Sequence, residues 1–188
     1  PLITSANIAC GFHASDPVVM SRTVKMAAES GVAAGAHPGY QDLVGFGRRN
    51  MNVAPAEVTD IVMYQIGALE AFCRANGIAM QHVKPHGAMY NMAEKDDKLA
   101  EAICRGIKAV NPDLILLGPG SGKMVKAAKA LGLKTAGEVF ADRAYMEDGT
   151  LVPRSQEGAM ITDEEEAVAR VLEMVQTVSY THLRAHET

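Results

Sequence analysis

The sequence predicts an α/β domain in which parallel strands are covered by helices, and three features predict it. Short apolar runs alternate with longer segments whose apolar residues recur every three or four positions. This strand-then-helix unit repeats five times, and the connections within it are short. Strands joined through helices run parallel, which leaves a (β/α) barrel or a doubly wound sheet as the architecture. Both gather ligands outside the carboxyl ends of their strands, so the residues that follow each strand are the candidates for chemistry.

Leu2 to Cys10 is mostly apolar and closes at Gly11, as a buried strand does. Asp16 then offers an N-cap, and Pro17 fits the first position of a helix running to about Ser30. Gly31 stops that helix. Val32 to Ala36 reads as a second strand ending at His37-Pro38-Gly39, followed by a long loop to Val53. Pro55 opens the longest helix; Val58, Ile61, Val62, Ile66, Leu69 and Phe72 mark its core face, and Gly77 ends it. The pattern continues with a strand from Ile78 to Val83, a helix from about Asp97 to Val110 and a strand from Leu114 to Leu117. A helix from Gly122 to Leu131 and a strand from Lys134 to Phe140 follow. A last helix, about Asp163 to Val175, begins with four acidic residues that suit the positive end of a helix dipole.

A chain of 188 residues fits one domain, because single cores serve up to about 250 residues. A net charge of −4 and a pI near 5.9 leave no basic surplus for nucleic acid or a membrane surface, which points to a small-molecule ligand. The three cysteines, Cys10, Cys73 and Cys104, are odd in number and irregularly spaced, so neither a disulfide framework nor a zinc ribbon is indicated and a reducing cytoplasm suits them. No apolar run approaches the roughly 20 residues that span a bilayer, and no secretory leader opens the chain, so a cytoplasmic location is expected.

The strand ends carry the candidate site. After the first strand, Asn7 interrupts an apolar run and His13 precedes the helix. Asn7 either satisfies backbone groups or binds substrate; His13 either sits at the surface or projects inward as a metal ligand or acid–base group. After the second strand, His37 lies between small residues that let a ligand approach the backbone. Along the third, alternation places His82, Lys84 and His86 on one face, where three ionisable groups would be costly without a function. The fifth leads into Asp142 and Arg143, and Arg154 in the next loop has the planar fork that holds a carboxylate. Gly118-Pro119-Gly120-Ser121-Gly122-Lys123 lacks the spacing of a phosphate loop, since Met124 follows Lys123, and reads as a strand-to-helix turn.

Taken together, these stretches resemble the LamB/YcsF family. They are SANIACGFHASD (Ser5 to Asp16), GAHPGYQD with FGR (Gly35 to Arg48), YQIGAL (Tyr64 to Leu69), HVKPHGAMYN (His82 to Asn91), and EVFADRAY with GTLVPRSQEGA (Glu138 to Ala159). The resemblance implies a (β/α) barrel-like fold of the glycoside hydrolase and deacetylase type. It also implies membership of an ATP-dependent 5-oxoprolinase, which opens the lactam of 5-oxo-L-proline to L-glutamate with two partner subunits. ATP would then be used by the complex. In this reading Lys84, His86 and Asp142 are catalytic, Asn7, Arg143 and Arg154 bind substrate, and His13 and His37 hold a divalent metal, with His82 in support.

The family pattern further implies a truncated domain over residues 1–177. An acidic DLNxDxGE-type strand is expected before Pro1, and an LHGD-type segment after the last helix. Residues 178–188 resemble a translated library adapter, so His182 and His186, although an i, i+4 pair, are expected to be foreign to the natural protein. Two other classes fit the same residues: a freestanding metal-dependent deacetylase or amidohydrolase, and a non-catalytic ligand-binding subunit.

Overall fold

A computed structural model describes residues 2–147 and 149–177, and the tail from 178 onward, with His182 and His186, lies outside them. The described residues divide into two compact units, one up to residue 137 and one from residue 138 on. In the first, the elements run β1 (Ser5–Ala9), α1 (Pro17–Ser30), β2 (Ala33–His37), α2 (Pro55–Ala75), β3 (Met80–Val83), α3 (Gly87–Ala93), α4 (Asp97–Val110), β4 (Ile115–Gly118), α5 (Lys123–Ala130) and β5 (Lys134–Gly137). All strands are parallel, and their order in the sheet is their order in the chain. A doubly wound sheet reverses direction at a switch point; this one does not, so the winding is of the barrel type.

Local chemistry accounts for the element ends. Asp16 Oδ1 accepts from the amides of Val18 and Val19 at 2.8 and 2.9 Å, closing the start of α1. Asp96 does the same for α4 through Lys98 and Leu99. The seven-residue α3, which the sequence pattern does not reveal, is too short to show a helical period; it is held by burying Ala88, Met89, Tyr90 and Ala93. β5 ends at Gly137, three residues before the expected Phe140, where the second unit begins.

The two faces of the sheet differ. Ile8, Ala34, Ala36, Val83 and Leu116 are buried on one face, while Asn7, His37, His82 and Lys84 alternate onto the other. Helices α2 and α4 pack closely because Gly106 has no side chain: a Cβ there would lie 2.8 Å from the Thr59 carbonyl oxygen and 3.0 Å from Val62 Cβ. Gly106→Ala is therefore expected to cost about 1 to 2 kcal/mol in urea unfolding, because overpacking outweighs the gain in helix propensity. An unchanged or raised midpoint would show that the two helices have room to part.

In the second unit, antiparallel bridges join Arg143 to Met160 and Tyr145 to Leu151 over a small core of Ala144, Val152 and Ala159, packed with Ile161. Helix α6 (Glu164–Thr177) follows, its first turn capped by Asp163, whose Oδ1 accepts from Glu166 N at 2.8 Å. No helix among the described residues is long and apolar enough to cross a membrane.

Candidate active site

Three histidines meet beyond the carboxyl ends of β1, β2 and β3. His37 closes β2, His13 lies in the loop after β1, and His86 is the N-cap of α3. The His13 and His86 rings stack at 3.9 Å with 6° between their planes, and His37 stands edge-on to both, at 5.5 and 4.8 Å. A set of one ring nitrogen from each lies within 4.8 Å of one another.

Backbone carbonyls fix which nitrogens face inward. His37 Nδ1 lies 2.5 Å from the Lys84 oxygen, and His86 Nε2 lies 2.8 Å from the Phe46 oxygen. A carbonyl only accepts, so each of these nitrogens carries the proton and donates. When the rings are neutral, His37 Nε2 and His86 Nδ1 are then bare lone pairs, and they face each other at 2.9 Å. His13 Nδ1 is buried beside them without a hydrogen-bond partner. Such a convergence of acceptors is unfavourable unless something positive lies among them, a proton or a metal ion.

The rings resist that proton. Burial holds the pKa of His13 down to about 4 and that of His37 to about 3, with the neighbouring histidine charges adding in the same direction. His86 is also lowered, chiefly by burial and further by Arg48 and Lys84. Near neutral pH the cluster is therefore three uncharged imidazoles, the form in which histidine binds a metal. His13, His37 and His86 could hold one ion with positions left open for water or substrate.

Residues with no obvious chemical signature in the sequence build the frame. Gln65, buried on α2, accepts from Gly39 N at 3.0 Å and donates to Gly39 O at 2.9 Å and Ile61 O at 3.1 Å, which fixes the chain just after His37. Its one signal is a polar residue within the apolar stripe of that helix. Buried Asp42 accepts from Gly45 N at 2.9 Å and from the Arg49 guanidinium, and its own amide donates to Phe12 O at 3.1 Å. The Arg49 hydrogen bonds hold the Asp42 carboxyl below the usual carboxylate range. This latch sets the loop that carries Phe46, whose ring lies edge-on to His13 and His86 at 5.6 and 5.2 Å.

The other expected residues divide between the two units. Lys84 is half-buried, with its amide donating to Ala36 O at 2.9 Å, and its charge acts on His37, His82 and His86. Asn7 is exposed, and its Oδ1 lies 2.9 Å from Nε2 of buried His82. Thus Asn7, His13, His37, Lys84 and His86 share the first unit. In the second, Asp142 is exposed; Arg154 is exposed, with Nη1 3.0 Å from Met160 Sδ. Arg143 is buried, and its guanidinium donates to Val152 O at 2.6 Å and Ala159 O at 3.4 Å, both within that unit.

Two alternatives are closed by neighbours. The glycine-rich turn before α5 already holds an anion of its own, because Glu94 accepts from Lys123 N at 2.8 Å and Met124 N at 3.3 Å. All three cysteines are buried, and burial pushes the thiols of Cys10 and Cys104 up to about 12 and raises Cys73, so none supplies a thiolate.

The LamB/YcsF family profile matches residues 1–187. The chain is 65% identical over 181 residues to the A subunit of 5-oxoprolinase from Clostridium beijerinckii, covering 96% of this chain and 71% of that protein. It is 56% identical over 185 residues to the A subunit of 5-oxoprolinase from Bacillus subtilis, covering 98% and 72%. Among solved structures, the lactam utilization protein from Thermus thermophilus matches with a TM-score of 0.89 and 48% identity, over 93% of this chain and 71% of that one. The chain belongs to the LamB/YcsF family.

Proposed function

We propose that this chain is the A subunit of a 5-oxoprolinase, a hydrolase that opens the lactam of 5-oxo-L-proline to L-glutamate. The observation that carries the reading is the cluster of three inward-facing imidazoles at the strand ends, in a chain 65% identical to a protein of that name. Hydrolysis of a cyclic amide adds water across the C–N bond. The carbonyl carbon gains the oxygen and the ring nitrogen gains a proton. ATP drives this step in the complex: the two partner subunits phosphorylate the lactam carbonyl, and this chain contributes to hydrolysis of the activated species. The capped turn at Glu94 is consistent with nucleotide being handled elsewhere.

His13 Nδ1, buried without a hydrogen-bond partner, is placed to exchange a proton with water or, in its unprotonated form, to bind a divalent ion. Such an ion, held by His13, His37 and His86, would acidify bound water and polarise the substrate carbonyl. Lys84 supplies positive charge beside the cluster for an anionic substrate group. Of the second unit's residues, exposed Asp142 is proposed as an acid–base group and exposed Arg154 as a substrate contact, while the buried Arg143 guanidinium donates to Val152 O and Ala159 O and holds the chain of that unit. The assembly works in the cytoplasm.

The test is reconstitution. The purified chain, combined with the two partner subunits, is expected to release L-glutamate from 5-oxo-L-proline while consuming ATP. Glutamate release from simple amides without partners or ATP would instead favour a freestanding metal-dependent amidohydrolase. Binding of 5-oxoproline with no turnover in either setting would leave a purely ligand-binding role.

A further inference from the structure

Asn7, Gly35 and His82 lie side by side on three adjacent strands, on the face of the sheet that carries the histidine cluster. The His82 ring passes directly over Gly35 to reach Asn7 one strand further on. A Cβ on Gly35 would fall 2.1 Å from His82 Nε2, so only glycine leaves the window open. The ring has two candidate partners, Asn7 Oδ1 at 2.9 Å from Nε2 and Gln81 Oε1 at 3.3 Å from Nδ1. A neutral imidazole has one proton to give, and the closer acceptor takes it. Burial and the nearby Lys84 charge keep His82 neutral. With its oxygen turned to His82, the Asn7 amide group has its two N–H donors directed away, and Asn7 is exposed.

We infer that His82 is a positioning residue which fixes the Asn7 carboxamide so that its N–H donors meet the carboxylate of the substrate. The inference rests on the proposed 5-oxoprolinase function and names a subsite within it. Asn7 lies two residues before the strand position level with His37, about 6.6 Å along the sheet. That offset suits a five-membered lactam whose carbonyl lies at the histidine cluster and whose carboxylate extends over the sheet face. Lys84 follows His82 by two residues on the same face, and its charge acts on His37, His82 and His86. A carboxylate there gains one cation and one amide donor, the pairing expected for a small anionic substrate.

The test compares Asn7→Ala, His82→Leu, His82→Gln and the Asn7→Ala/His82→Leu double variant in the reconstituted complex. Loss of a hydrogen bond to a charged group is expected to raise KM for 5-oxoproline about tenfold or more in both single variants, with kcat nearly unchanged. The double variant should match the worse single variant, since both remove one contact. His82→Gln, which keeps an N–H donor able to pass over Gly35, should restore KM. An additive double variant, a His82→Gln as poor as His82→Leu, or an unchanged KM in Asn7→Ala would overturn the inference. The ring-nitrogen NMR spectrum gives an arm independent of turnover: His82 is expected as the Nε2–H tautomer, and an unprotonated Nε2 overturns the inference even in an active enzyme. If the chain binds 5-oxoproline without hydrolysing it, the functional reading falls while the same comparison proceeds on Kd; if it binds none, both fall.

Discussion

Replacing His86 by alanine is expected to lower glutamate release by the reconstituted enzyme about a thousandfold or more, the scale of losing a proton-transfer group or an ion ligand. His86 does three things at once. Its Nδ1 faces His37 at 2.9 Å, its ring stacks on His13, and its Nε2 occupies the Phe46 carbonyl. Alanine removes a lone pair from the centre of the cluster and also leaves the Phe46 carbonyl without its donor, so a stability loss has to be separated from a catalytic one. His86→Gln and a thermal melt of each variant separate them. A variant that melts like the parent and still fails to release glutamate places the loss in the chemistry, and the effect should fall on kcat. Activity within a few fold of the parent in a folded His86→Ala protein would remove His86 from the reacting centre and with it the proposed three-histidine site.

The histidines are legible in the sequence because a parallel strand-helix winding brings every strand end to one edge; position after a strand is sufficient to nominate His13, His37 and His86. Which nitrogen each ring turns inward is not legible. It depends on the Lys84 and Phe46 carbonyls, 47 and 40 residues away along the chain, and so on the folded backbone. The choice between barrel and doubly wound sheet stays open in the sequence for a related reason, since both use the same local units and differ only in strand order. Gln65 and Asp42 carry no signal strong enough to single them out, because a glutamine on a helix and an aspartate in a loop ordinarily face water; here each is buried and satisfied by backbone or guanidinium groups. Arg143 shows the converse. Its fork invites a carboxylate reading, and in the structure it spans two carbonyls of its own unit.

Binding of a divalent ion such as Zn²⁺ at pH 6 is expected to release no protons from His13 and His37, and fewer from the cluster than ordinary histidines would give. Three ordinary histidines, with pKa near 6.5, would together shed about two. The difference follows from the depressed pKa values, about 4 for His13 and about 3 for His37, which leave those two imidazoles neutral before the ion arrives, and from His86, which is lowered in the same direction. Calorimetry in buffers of different ionisation enthalpy counts the protons directly. Linkage sets the sign of the companion effect on stability. The unfolded chain takes up protons at these histidines below about pH 6.5, whereas the folded chain resists until about pH 4 to 3. The contribution to stability is therefore complete above about pH 6.5 and is lost as pH falls through that window. His82, lowered by burial and Lys84, adds to the same trend. The melting temperature without metal is expected to drop by about 10 °C or more between about pH 7 and pH 4.5. In His86→Ala the drop should shrink, because removing one imidazole also relieves its neighbours of burial. Release of about two protons at pH 6 would show that the rings are solvated and ordinary. Absence of ion binding, with the melting profile unchanged in shape, would leave the His13 imidazole as a base rather than a ligand, since the same neutral cluster can serve water directly.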